Sequence, residues 1–144
     1  MTIWKIIPDL DRLNHHARDH MGSILGIEFT RVTDEELEAR MPVNEKTKQP
    51  YGILHGGASV VLAETVGSVA SFHVIGGGDS MPVGLEVNAN HLRPASGGYV
   101  TAVCKAVHLG LRTHVWDIRL HDDQGRPTCI SRLTVAIIPK LPVP

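Results

Sequence analysis

Two hydrophobic rhythms run along the chain, and the change of rhythm divides it into elements. In residues 9–20 the apolar positions Leu10, Leu13, Ala17 and Met21 recur at helical spacing. Asp9 is placed to cap that helix and Gly22 to end it. A period of two follows. Ile27 and Phe29, then Leu37, Ala39 and Met41 set between Glu36, Glu38 and Arg40, predict two short strands joined across Thr33-Asp34-Glu35. Residues 44–54 form a polar loop with Gln49-Pro50 and Gly52. After His55-Gly56-Gly57 the chain is apolar almost all round until Gly76-Gly77-Gly78. At about 1.5 Å per residue that run approaches membrane-core thickness. However, Glu64 lies inside it, Ser59, Ser68 and Ser71 are scattered along it, and no basic flank marks a stop-transfer. It predicts a central helix from about Gly56 to Ile75, wrapped by protein.

Everything after Met81 alternates again. Residues 83–93 set Leu85, Val87 and Ala89 against Glu86, Asn88 and Asn90. Residues 99–109 follow. Residues 113–121 place His114, Trp116, Ile118 and Leu120 on one face, with Asp117 and Arg119 on the other. The turn Asp122-Asp123-Gln124-Gly125 leads into residues 128–138. Long strands with short turns predict an antiparallel meander, its concave face filled by the helix. The expectation is an α+β fold: one long helix in a curled antiparallel sheet of about six strands, plus a short N-terminal helix. A chain of 144 residues is one domain by size.

Composition narrows the functions. Lys and Arg total 14 against 15 Asp and Glu, a net charge of -1. Such a chain has no general attraction for nucleic acid or anionic lipid, so neither is an expected partner. Two cysteines, Cys104 and Cys129, are too few for a disulfide framework or a zinc site. The nine histidines show no metal-ligand spacing, and His15-His16 falls in a polar stretch that faces solvent. No metal or separate cofactor is expected. The short apolar start, broken by Lys5 and Pro8-Asp9, is no signal peptide, which predicts a cytoplasmic protein.

Glu64 is the most informative residue. A carboxylate buried in an apolar helix is costly unless paired, and no Lys or Arg lies between Gln49 and Met81. It is a core Glu salt-bridged to a neighbour, part of a helix face open to water, or a reactive group facing a substrate pocket. Ser68, at i+4, either reaches that carboxylate or is a small packing residue. At His55-Gly56-Gly57 the free N–H groups of a helix start favour developing negative charge, as an oxyanion hole requires. A plain loop-to-helix turn has the same signature. No G-x-S-x-G elbow accompanies it, since Gly57-Ala58-Ser59-Val60-Val61 fails at its last position, so a serine triad is rejected. His91 and Arg93 share a strand face and form either a phosphate contact or a solvated pair. His108-Leu109-Gly110-Leu111-Arg112 could add a second anion contact, whereas Lys46 and Lys48 read as solvated loop charge.

Residues 48–64, KQPYGILHGGASVVLAE, with 83–93 and His108-Leu109-Gly110, resemble the hot-dog-fold acyl-CoA thioesterases of the PaaI-like group. The likeness spans nearly the whole chain and is nearest the branch acting on 1,4-dihydroxy-2-naphthoyl-CoA, with 4-hydroxybenzoyl-CoA hydrolases more distant. It implies hydrolysis of an acyl-CoA thioester, the acyl group aromatic, with coenzyme A as part of the substrate. It implies Glu64 as nucleophile or general base and the Gly56 N–H as oxyanion donor. Gln49 and His55 would position substrate or water, and Ser68 would assist. It also implies coenzyme A contacts at Gly84, at His91, Leu92, Arg93 and Pro94, and at His108, Leu109, Gly110, Leu111, Arg112 and Thr113. Position 111 departs from the pattern, since relatives often carry a small hydroxyl residue there. A hot-dog dehydratase using His55 and Glu64, or a non-catalytic acyl-CoA-binding module, would carry the same residues.

Helix geometry adds an expectation about assembly. Gly56 and Glu64 are eight residues apart, about 12 Å along one helix axis. A donor and a nucleophile must both come within about 3 Å of one carbonyl group. One straight helix cannot supply both. The chain is expected to form a homodimer with two shared sites, doubled to a homotetramer.

Overall fold

The most regular alternation in the sequence becomes the core. The computed structural model describes residues 1–15 and 19–142. In chain order they form α1 (Leu10–Asn14), α2 (Met21–Ile24), β1 (Glu28–Val32), β2 (Glu36–Pro42), α3 (Gly56–Ile75), β3 (Ser80–His91), β4 (Tyr99–Leu109), β5 (Thr113–Asp122) and β6 (Pro127–Pro139). Leu37, Ala39 and Met41 of β2 are wholly buried, as are Val100, Ala102 and Cys104 of β4. Trp116 and Ile118 of β5 and Leu133 and Val135 of β6 complete the floor on which α3 lies. Period-two strands put alternate side chains on one face, so the apolar sets of β2 and β5 are the buried ones, whereas Leu85 of the β3 set is exposed.

The bounds of α3 match the sequence expectation at both ends. His55 stands extended at the N-cap, and Gly76 ends the helix at φ 73°, a conformation glycine adopts without strain. Its buried residues, among them Ser59, Leu62, Ala63, Val66, Gly67, Ala70 and Ser71, form one stripe at helical spacing. By length and composition α3 could cross a membrane, yet half of that span is buried in the fold. Gly67 sets its height above the sheet. A Cβ there would come 2.5 Å from Leu133 Cδ2 and 3.2 Å from Ile118 Cδ1.

The sheet order is β1-β2-β4-β5-β6-β3, antiparallel throughout. The expected meander therefore holds only for β4, β5 and β6. The chain leaves β2, crosses the sheet as α3, forms β3 beside β6 at the far edge, and returns to place β4 beside β2. Alternation identifies a strand but not its neighbour. The edge strand β3 has a bulge between Gly84 and Glu86, and Leu85 on it is 68% exposed.

The N-terminal helix is the second correction. It ends at Asn14, not His20, and His15 is extended and exposed. Asn14 spends its side chain on β1: Nδ2 donates to the Phe29 carbonyl and Oδ1 accepts the Phe29 N–H, each at 2.8 Å. Gly22 does not end a helix but lies inside α2, which His20 and Ser23 cap reciprocally. The expected helical residues His16, Ala17 and Arg18 lie outside the described residues.

The tight seat at Gly67 makes a direct prediction. Gly67→Val should destabilise the fold by about 1–3 kcal/mol through overpacking against Leu133 and Ile118. A denaturant midpoint equal to that of the parent protein would show that α3 does not sit this close.

Candidate active site

The start of α3 presents one free amide. His55 Nδ1 accepts the Gly57 N–H at 2.8 Å, and the His55 carbonyl accepts the Ala58 N–H at 3.0 Å. Among the described residues the Gly56 N–H has no acceptor. The turn is held from both sides, because the His55 N–H donates to the Thr47 carbonyl at 2.8 Å and the Leu54 N–H to Ala95 at 2.7 Å. Gln49 lies on the loop folded back over this turn. Its backbone N–H donates to Ile53 at 2.9 Å, and its side-chain Oε1 accepts the Tyr51 N–H. That bond orients the carboxamide and leaves its NH2 group as a donor.

The strand that follows α3 reaches back to the same place. The His91 ring lies against Gly56, where a Cβ would come 2.8 Å from His91 Nε2. Gln49, Gly56, His91, Leu92, Arg93 and Pro94 together line a cleft of about 460 Å³. Arg93 Nη1 donates to the Pro127 carbonyl at 3.2 Å, which tethers the guanidinium at the rim. Thr128 also lines the cleft, and its buried hydroxyl has no hydrogen-bond partner. Sequence reasoning missed Thr128, since a threonine at a strand start carries no signal of its own.

Glu64 differs from the expectation of a buried group. It is half-buried on the outward face of α3, and among the described residues no hydrogen bond or ion pair engages its carboxylate. The core ion-pair alternative is thereby excluded. Gly84 of β3 lies directly against it, so that a Cβ at position 84 would fall on Glu64 Oε1. Gly84, expected at coenzyme A, makes room for the carboxylate. Ser68 is also half-buried, one turn along, and makes no hydrogen bond to Glu64. Within one chain Glu64 stays about 12 Å along the helix axis from Gly56.

His108, Leu109, Gly110, Leu111, Arg112 and Thr113 form the β4–β5 hairpin at the other end of α3. Leu109, Gly110 and Leu111 line a cleft of about 490 Å³ with Lys5, Val74 and Ile75. Leu111 is 96% exposed, and Arg112 projects into solvent. One chain thus brings together Gln49, His55, Gly56 and the 91–94 stretch. It holds Glu64, Ser68 and Gly84 as a second group and the hairpin as a third. Cys104 and Cys129 take no part, since burial pushes both thiols up and keeps them protonated.

Comparison with known proteins agrees with this architecture. The family model described as "Thioesterase superfamily" matches residues 51–129. The chain is 52% identical over 136 residues to 1,4-dihydroxy-2-naphthoyl-CoA hydrolase of Escherichia coli, covering 94% of this chain and 99% of that protein. It is 46% identical over 136 residues to proofreading thioesterase EntH of Cronobacter turicensis, covering 94% and 98%. The crystal structure of a glutamine-to-alanine mutant of thioesterase PA1618 from Pseudomonas aeruginosa superposes with a TM-score of 0.94. There the identity is 53%, with 96% of this chain and 100% of that one covered. These relatives are hydrolases, which sets aside the dehydratase and the non-catalytic module. The helix in its curled sheet and the match over most of the chain lead to one conclusion: this chain belongs to the thioesterase superfamily, a thioester hydrolase of the hot-dog fold.

Proposed function

We propose that this thioesterase hydrolyses an aromatic acyl-CoA in the cytoplasm, at sites shared between two copies of the chain. The observation that carries this reading is the pair of uncommitted groups. Among the described residues, one amide at the start of α3 has no acceptor and one carboxylate in its middle has no partner. The Gly56 N–H would donate to the thioester oxygen, where charge develops in the transition state. Glu64 would attack the carbonyl carbon as nucleophile or take a proton from the attacking water. The C–S bond then breaks and the thiolate of coenzyme A leaves, taking a proton from solvent; on the nucleophilic route water then hydrolyses the mixed anhydride left on Glu64 to the free acid. His55 Nδ1 is occupied as an acceptor, so the neutral ring carries its proton on Nε2 and can donate to substrate or water. Gln49 offers its NH2 beside the same carbonyl, and Ser68 assists Glu64. A thioester is reactive enough that these groups suffice without metal or further cofactor.

Three observations support the shared site. The first is the separation along α3. The second is β3, an edge strand with Val83 and Leu85 exposed and Leu92 exposed just beyond its end. The third is Gly84, which sets Glu64 directly beneath that edge. Pairing β3 with its copy about a two-fold axis is antiparallel. It lays the His91 end of one strand beside the Ser80 end of the other. The cleft of one chain then meets Glu64, Ser68 and the hairpin of its partner, and both ends of coenzyme A find a wall. Two such dimers form the proposed tetramer. An apolar cavity of about 460 Å³ beside His55, walled by Met21, Ile24, Leu25 and Val61, supports a bulky apolar acyl group.

Replacing Glu64 with Gln should lower kcat on benzoyl-CoA by about 10²–10⁴-fold. Gly84→Ala, which displaces the carboxylate without touching its chemistry, should cost about 10²-fold at an unchanged melting temperature. Full activity in Gly84→Ala would remove Glu64 from the reacting centre. Gln49→Ala and Glu64→Ala chains, each inactive, can be mixed by co-refolding to test the shared site. Random pairing makes half the dimers hybrid, each with one intact site of two, so about a quarter of parental activity should return. Verified hybrids without activity would overturn the shared arrangement.

A further inference from the structure

A buried polar chain behind the β4–β5 hairpin is used by none of the steps above. Ser71 of α3 and His114 and Trp116 of β5 meet inside the core, each no more than 2% exposed. Trp116 Nε1 donates to Ser71 Oγ at 2.8 Å, and Ser71 Oγ lies 3.1 Å from His114 Nδ1. The same imidazole lines a cleft with Gly110, and the Gly110 backbone favours its charged form. An indole N–H can only donate, which fixes the first bond of the chain. Trp116 gives to Ser71, whose oxygen in turn faces His114 Nδ1 and ties the imidazole to α3. Burial, the largest influence, holds the His114 pKa below its ordinary 6.5, and the charge of His108 acts in the same sense.

Gly110 is also gripped from outside. A Cβ there would come 2.6 Å from His108 Nε2 and 3.2 Å from the Thr113 carbonyl, while the Gly110 N–H closes on that carbonyl at 2.9 Å. Just beyond it the Arg112 carbonyl accepts the Ile137 N–H at 2.9 Å. The tip between these fixed points carries Leu111 and the Arg112 guanidinium, which makes no ion pair among the described residues. A short hairpin with an uncommitted cation is thus anchored to the helix and sheet through one imidazole.

We propose that His114, oriented by Ser71 and Trp116, is a positioning residue that sets the hairpin to receive the phosphate-bearing end of the substrate through Arg112. The inference rests on the acyl-CoA reading above and adds the device that shapes the hairpin. His114 touches no substrate atom. Its effect belongs to recognition of the coenzyme and not to the chemistry at the thioester.

The test compares benzoyl-CoA with benzoyl-N-acetylcysteamine, which carries the same acyl group and no phosphate. His114→Leu removes the polar ring between Ser71 and Gly110 and should raise KM for benzoyl-CoA about tenfold with kcat within about twofold. The short thioester should show the same kcat/KM as with the parent protein. His114→Gln keeps a polar side chain between Ser71 and Gly110 and should restore most of the loss. Ser71→Ala, a smaller change that serves if His114→Leu does not fold, should move KM in the same direction. Arg112→Ala separates the two levels of the argument. If it raises KM for benzoyl-CoA while the His114 and Ser71 variants do not, the positioning role is overturned and the acyl-CoA reading stands. If Arg112→Ala leaves KM unchanged, the hairpin does not bind the coenzyme and the inference falls with that assignment. Equal losses on both substrates would show that the chain is merely structural.

Discussion

The close contact of α3 with the sheet at Gly67 determines where every candidate group points. With no side chain at 67, the helix lies directly on Leu133, Ile118 and Trp116. That contact fixes its rotation as well as its height. Residues 59, 62, 63, 66, 67, 70 and 71 must then face inward. By the period of 3.6, Val60, Glu64, Ser68 and Phe72 must face outward. The position of Glu64 is therefore a consequence of core packing and not of any interaction of its own. Burial of apolar side chains, each worth about 1.5–3 kcal/mol, supplies the energy. The carboxylate draws on it without a compensating partner in the chain. A second glycine, Gly84, keeps β3 from displacing it.

Competition for hydrogen bonds explains the other half of the site. A helix start leaves several amides unpaired, and any nearby acceptor takes them. His55 provides two acceptors, a ring nitrogen and its own carbonyl, and both serve amides further along. The Gly56 N–H comes too early in the turn for either. Its freedom depends on the extended conformation of His55, which Thr47 and Ala95 hold through backbone bonds on each side. Gln49 is oriented in the same way, through one bond that commits its oxygen and leaves its nitrogen.

Local features of the fold were legible in the sequence, and long-range ones were not. Glycine stops, the apolar run and strict alternation placed α3 and the strands within a few residues, because each of those signals acts within one turn or one pleat. The N-terminal helix misled because Asn14 finds its partners fifteen residues away at Phe29. Strand order was hidden for the same reason, as β3 pairs with a strand some forty residues later. For the site, the lack of a nearby cation correctly marked Glu64 as unpaired, and the helix start marked Gly56. Its half-exposure was one of the alternatives the sequence left open, since periodicity cannot tell an edge-facing stripe from a buried one. The meeting of Ser71 with His114 spans 43 residues and left no trace in the pattern.

That stripe bears on what a single chain lacks. The outward face of α3 carries Val60, Ser68 and Phe72 around Glu64, and the β3 edge beside it exposes Val83 and Leu85, with Leu92 exposed just beyond its end. Apolar groups at an open strand edge invite another strand, and native proteins usually blunt such edges with charge or proline. Pro82 lies near the start of β3, but Leu85 stands at its bulge with no charge in its place. A second copy seated there would cover apolar surface and exclude water from Glu64 in one step. Excluding water strengthens the electrostatics that a carboxylate and an oxyanion donor use on a carbonyl. Under the shared-site proposal, the contact that would complete the site geometrically would also make its charges effective.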